Sequence, residues 1–146
     1  MDSNEKKIWE DKIAQYSQTV RSIKIPKDLN PGIARMLISQ MSSVIPDVTQ
    51  DYHTLKSLVN GIDSTINIIE KKNLTGKNTE DRKRNAVLAV EMLDDGNGNF
   101  INLYEEKKDH ASLLAKIEAI KDTLAQQQNL LVSMNGFMKL EERVSP

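Results

Sequence analysis

The sequence predicts an all-α chain: a helical bundle of long, heptad-patterned helices, like those of coiled coils, that assembles as an oligomer. Three observations predict it. Apolar residues recur at alternating spacings of four and three through three segments, the period of a helix buried along one stripe. Scarcely any stretch alternates apolar and polar residues with the period of two that a half-buried strand needs. The aromatics are few, namely Trp9, Tyr16, Tyr52, Phe100, Tyr104 and Phe137. Much of the buried area must therefore come from Leu, Ile, Val and Met, as in layered bundles.

The first helix is expected from Ser3 to about Lys24, with Trp9, Ile13, Tyr16, Val20 and Ile23 on one stripe and Ile8 at its edge. The segment Ile25 to Gly32 holds two prolines and breaks it. Asn30 before Pro31 reads as an N-cap with proline in the first helical position. A short helix should run from there through Met36, Leu37 and Met41. Pro46 is expected to end it, since proline offers no N–H to a helix interior. Asp47 to about Asn73 is the next helix, with Val48, Tyr52, Leu55, Val59, Ile62, Ile66 and Ile69 in strict alternation. Gly61 costs it about 1 kcal/mol relative to alanine and marks a candidate close helix contact.

Leu74 to Asn78 reads as a turn, and a helix from about Thr79 to Leu93 carries Ala86, Val87, Ala89, Val90 and Leu93. Glu80 and Asp81 in its first turn suit the helix dipole. Asp94 to Asn99 is a second turn. The last helix is expected from about Phe100 to Leu140, about 60 Å long at the usual rise per residue. Leu113, Ile117, Ile120, Leu124, Gln127, Leu131, Met134 and Met138 form its seam, with Gln127 as the one polar member. This divides the chain into an N-terminal segment 1–45, a helical core 46–141 and a frayed tail 142–146. The helices expected over 47–73 and 100–140 differ in length. Apolar surface left over on the longer one usually meets another chain. The candidate oligomerisation residues are Leu113, Ile117, Ile120, Leu124, Leu131 and Met134.

Net charge is −1, so the field of the whole molecule favours no polyanionic partner. The charge is unevenly placed, however. Residues 1–70 hold 8 Lys/Arg against 9 Asp/Glu, residues 71–84 hold 6 against 2, and residues 85–146 hold 6 against 10. The local excess of +4 (6 minus 2) comes from Lys71, Lys72, Lys77, Arg82, Lys83 and Arg84. Around a helix–turn–helix tip these could hold phosphates. Arg82, Lys83 and Arg84 are consecutive, so on a helix they fan across about 200°. No aromatic ring lies between His53 and Asn99 to stack a base beside them. The bland alternative is a solvated helical turn.

Chemistry is not indicated. There is no cysteine, hence no thiolate nucleophile, disulfide or zinc-thiolate site, which suits a reducing cytoplasm. The polar start shows no signal peptide, and no apolar run approaches the length of a membrane span. His53 and His110 lack carboxylates at metal or triad spacings and read as structural or solvent-facing. Asp95, Asn97, Asn99 and Glu106 fall at calcium-loop positions. That loop needs glycine where Phe100 stands and an apolar residue where Asn102 stands, so the expected reading is an ordinary turn whose Asn99 or Asn102 caps the next helix. Thr75 to Asn78 lacks the upstream glycine, the following Ser/Thr and the preceding strand of a phosphate loop. No enzyme, metal or cofactor is expected.

The stretch from Thr75 to Ala86, followed by a short loop and a long terminal helix, resembles small helical accessory proteins of bacteriophages. In outline it is similar to the UvsY family of recombination mediators of T-even phages. The resemblance covers about residues 45–140. It implies a small oligomeric protein that binds single-stranded DNA and helps load a recombinase in place of a single-strand-binding protein. It also implies that Lys71, Lys72, Lys77, Arg82, Lys83 and Arg84 contact DNA. The family's basic helix is more strongly basic than this one. Two functions are therefore expected. The first is a non-enzymatic oligomeric accessory protein binding single-stranded DNA in the cytoplasm, the host's if the protein is viral. The alternative is a coiled-coil adaptor, scaffold or inhibitor that binds a protein and no nucleic acid.

Overall fold

The computed structural model describes residues 1–144. The chain is all-α, with helices α1 (Ser3–Ser22), α2 (Pro31–Lys72), α3 (Thr79–Glu91) and α4 (Leu103–Val144). A small antiparallel hairpin, β1 (Leu93–Asp94) and β2 (Phe100–Ile101), stands between α3 and α4. The all-α expectation holds, and the strand content is confined to that hairpin among the described residues.

The largest departure from expectation is at Pro46, which lies inside α2 and does not end a helix. The reason is the buried stripe. Ala34, Leu37, Met41, Val48, Tyr52 and Leu55 are all buried and stay in helical phase across the proline. Their joint burial outweighs the one hydrogen bond that Pro46 withholds from the Ser42 carbonyl. The boundary expected at 45/46 therefore falls within a helix. The expected length mismatch also disappears, because α2 and α4 are both 42 residues long. Pro46 itself is exposed, so its ring contributes little packing. Pro46→Ala should restore the backbone bond and raise stability by about 2 kcal/mol, the interior proline penalty less the entropy proline removes from the unfolded chain. A urea midpoint that falls in this variant would contradict that account.

At its start α2 is set as expected: the Asn30 side chain accepts from the Ile33 N–H at 2.9 Å, with Pro31 in the first turn. Helix α4 begins three residues later than Phe100, because Asn102 caps it by accepting from the Tyr104 N–H at 3.0 Å. Gly96 and Gly98 adopt φ of 82° and 83° in the hairpin loop, a region that favours glycine. Helix α4 continues through Val144, so residues 142–144 of the expected frayed tail are helical, while residues 145–146 lie outside the described residues.

The chain forms two compact units. One comprises Thr54–Leu114 with Met1–Ser3, the other Asn4–His53 with the chain from Ala115 onward. In the first, the C-terminal part of α2 runs antiparallel to the start of α4. The Tyr104 hydroxyl donates to Glu70 at 2.6 Å, and Lys107 pairs with Asp63. Leu55, Ile66, Ala86, Val90, His110 and Leu113 are buried there. In the second unit, α1 packs with the first part of α2 and the remainder of α4 around Ile13, Val20, Met41, Val48, Ile117, Leu124 and Leu131. The Tyr16 hydroxyl donates to Asp51 at 2.6 Å, and Lys12 pairs with the same carboxylate. Burial, then the Asp51 hydrogen bond, raises the Tyr16 phenol far above its ordinary value. It stays a neutral donor throughout the working range of pH.

Candidate nucleic-acid interface

The basic segment is the connection between α2 and α3, and its backbone is tightly specified. As α2 ends, the Asn73 side-chain amide donates to the Ile69 carbonyl at 2.7 Å. Gly76 takes φ of 151°, and a Cβ there would come within 2.9 Å of the Asp81 Cβ. Only glycine fits both the dihedral and the space. Asn78 is the N-cap of α3, its side chain accepting from the Asp81 N–H at 2.8 Å. Two side chains of α3 then reach back to hold the loop. Arg82 Nε donates to the Gly76 carbonyl at 3.2 Å, and Asn85 donates to the Thr75 carbonyl at 2.6 Å.

All six expected contact residues are exposed, but they divide into two kinds. Arg82 is engaged in holding the turn, and Arg84 pairs with Asp81 at 2.7 Å. The side chains of Lys71, Lys72, Lys77 and Lys83 form no hydrogen bond or ion pair among the described residues. Their ammonium groups therefore face solvent. Lys71 and Lys72 sit in the last turn of α2, where the helix dipole also favours cations. The fold brings Lys71 and Lys83, twelve positions apart in sequence, to one groove.

That groove was not legible beforehand. It lies between the end of α2 and α3 and is lined by Asn67, Glu70, Lys71, Leu74, Lys83, Ala86 and Val87. Of the apolar residues expected on α3, only Ala86 and Val90 are buried, and Val87 is exposed. Burial, then the hydrogen bond and charge of Glu70, pushes the Tyr104 phenol up to about 12, so it remains a donor to Glu70 at neutral pH.

The expected oligomerisation residues lie inward. Leu113, Ile117, Leu124 and Leu131 are buried within the single chain, and Ile120 and Met134 are half-buried. Gln127, the polar member of that seam, places its side-chain oxygen in a buried position without a hydrogen-bond partner among the described residues. Of the apolar side chains that α4 exposes, Val132 stands apart and the others form a different line. Leu130, Phe137, Leu140 and Val144 are 51%, 68%, 56% and 81% exposed. With Ser133 between the first two, they follow heptad spacing about 100° around the helix from Leu131 and Met138.

His53 is exposed and stacks edge-on against Tyr52, while the buried His110 places Nδ1 2.7 Å from the Glu106 carbonyl. In the hairpin, Asp95 accepts from the Asn97 and Asn99 N–H groups, so this carboxylate serves the turn itself. No group of three or more His, Cys, Asp or Glu side chains among the described residues is placed to hold a metal. No helix among them is long and apolar enough to cross a membrane. Comparison with protein-family models, curated proteins and solved structures finds no match to this chain.

Proposed function

We propose that the protein is a non-enzymatic, oligomeric accessory protein that binds single-stranded DNA at the α2–α3 tip, resembling a phage recombination mediator. It would act in the cytoplasm, the host's if viral, beside a recombinase or a single-strand-binding protein. The observation that carries the reading is the set of four lysines at the tip, all exposed and with side chains that have no partner among the described residues. Arg82 and Arg84 add charge while fixing the turn that presents it. A single tip offers few phosphate contacts. Copies assembled through the exposed C-terminal line of α4 would repeat it and convert a small local charge into a multivalent site. That line also favours the second reading, a scaffold or adaptor that recruits a protein and no nucleic acid.

The two readings part on salt. Phosphate neutralisation predicts affinity for a labelled single-stranded oligonucleotide that is nearly independent of base sequence. It should fall with salt at a log–log slope of about −0.7 per phosphate neutralised. Fluorescence anisotropy measures this directly. Absence of binding even at low salt would leave the adaptor reading in its place.

A further inference from the structure

The groove beside the basic tip has a second property that phosphate binding does not use. Its floor is apolar and open: Leu74 is 49% exposed and Val87 is 40% exposed, above a buried Ala86. Each side contributes a lysine, Lys71 on α2 and Lys83 on α3, against the single carboxylate of Glu70, so the lining carries an excess of one positive charge (2 minus 1). The one carboxylate in the lining, Glu70, accepts from the Tyr104 hydroxyl at 2.6 Å, which satisfies part of its acceptor capacity. Asn67 adds an exposed side-chain amide that can donate to and accept from a peptide backbone. On α3, Asp81 is paired with Arg84, and Glu91 acts on the Tyr104 phenol that donates to Glu70.

We propose that this groove docks an acidic peptide bearing a bulky aliphatic or aromatic anchor. The anchor would cover Leu74 and Val87, and the flanking carboxylates would meet Lys71 and Lys83. Charge complementarity selects an acidic partner over a basic one. The floor selects a peptide over a nucleobase, because it offers aliphatic side chains and no aromatic face for stacking. The proposal stands without DNA binding at the tip. If both occur, peptide and DNA share Lys71 and Lys83 and compete.

The test uses the full chain and a short fluorescein-labelled peptide that alternates aspartate with leucine and phenylalanine. Two control peptides carry serine in place of the anchors, or asparagine in place of aspartate. The full peptide should bind, and each control should bind about tenfold more weakly. Leu74→Ser combined with Val87→Ser should weaken the peptide by about tenfold and leave single-stranded oligonucleotide affinity unchanged. Both residues are substantially exposed, and an unchanged helical spectrum verifies that the variant folds. Equal binding of the serine-anchor peptide would overturn the proposal, since charge alone would then account for it. No binding of the full peptide would overturn it as well, whatever the oligonucleotide does. If the double variant loses peptide and oligonucleotide equally, the groove seats bases and the peptide assignment is wrong. A protein that binds peptide but no oligonucleotide would uphold this proposal while removing the DNA reading.

Discussion

Lys71→Glu, Lys77→Glu and Lys83→Glu together are expected to lower affinity for single-stranded DNA by about 100-fold at moderate salt. Each substitution removes a phosphate contact and places an anion where a phosphate would sit. The three are chosen because none holds the fold: all are exposed and without a partner among the described residues. Arg82 is left intact, since Arg82→Glu would also release the Gly76 carbonyl and loosen the turn. The control is Lys116→Glu with Lys139→Glu, two exposed positions of α4 in the other compact unit. Lys107 and Lys121 are unsuitable controls, because one pairs with Asp63 and the other lies over the Tyr52 ring. Equal loss in the triple variant and the control would mean that affinity follows general charge and the tip is not the site.

Phe137→Asp with Leu140→Asp is expected to abolish the proposed self-association while the chain stays folded. The two side chains are mostly exposed in a single chain, so their replacement costs little unless another copy covers them. Covering a Phe and a Leu contributes about 4 kcal/mol per chain or more, so the double substitution should weaken assembly by about 1,000-fold. Leu131→Asp gives the contrast. Leu131 is fully buried, and an unpaired carboxylate there should destabilise the helix packing itself. Analytical ultracentrifugation separates the outcomes: a folded monomer for the first variant, and a loss of thermal stability for the second. If Phe137→Asp with Leu140→Asp leaves the association state unchanged, this face does not assemble the protein.

The periodic part of the fold was legible because apolar spacing is a direct record of burial. Val48, Tyr52, Leu55 and Ile66 sit where their alternation put them. Pro46 lies inside α2 because the local rule that proline ends helices yields there to a longer-range one. The stripe from Ala34 to Leu55 keeps its phase through the proline, and that continuity was present in the sequence. With α2 continuous through Pro46, it equals α4 in length and the expected mismatch is absent. The exposed line on α4 was hidden for a different reason. Leu130 precedes Leu131, and Phe137 precedes Met138, so two neighbouring stripes share one period, and spacing alone cannot say which turns inward.

At the tip, the charges could be read and their division of labour could not. A run of cations is visible in composition. That Arg82 reaches the Gly76 carbonyl and Arg84 reaches Asp81 depends on how Gly76 and the Asn78 cap fold the turn back on α3. The apolar floor depends on tertiary return in the same way. Leu74 and Val87 are thirteen positions apart and line one groove only because α3 folds back beside the end of α2.

The central claim is that copies of one chain present the basic tip repeatedly to single-stranded DNA. Multi-angle light scattering of the pure protein, alone and with a single-stranded oligonucleotide, tests it most directly. The account predicts a mass that is a multiple of the 16.5 kDa chain in both samples, and a further increase matching bound oligonucleotide in the second. A strictly monomeric protein at high concentration whose mass is unchanged by the oligonucleotide at low salt would contradict it.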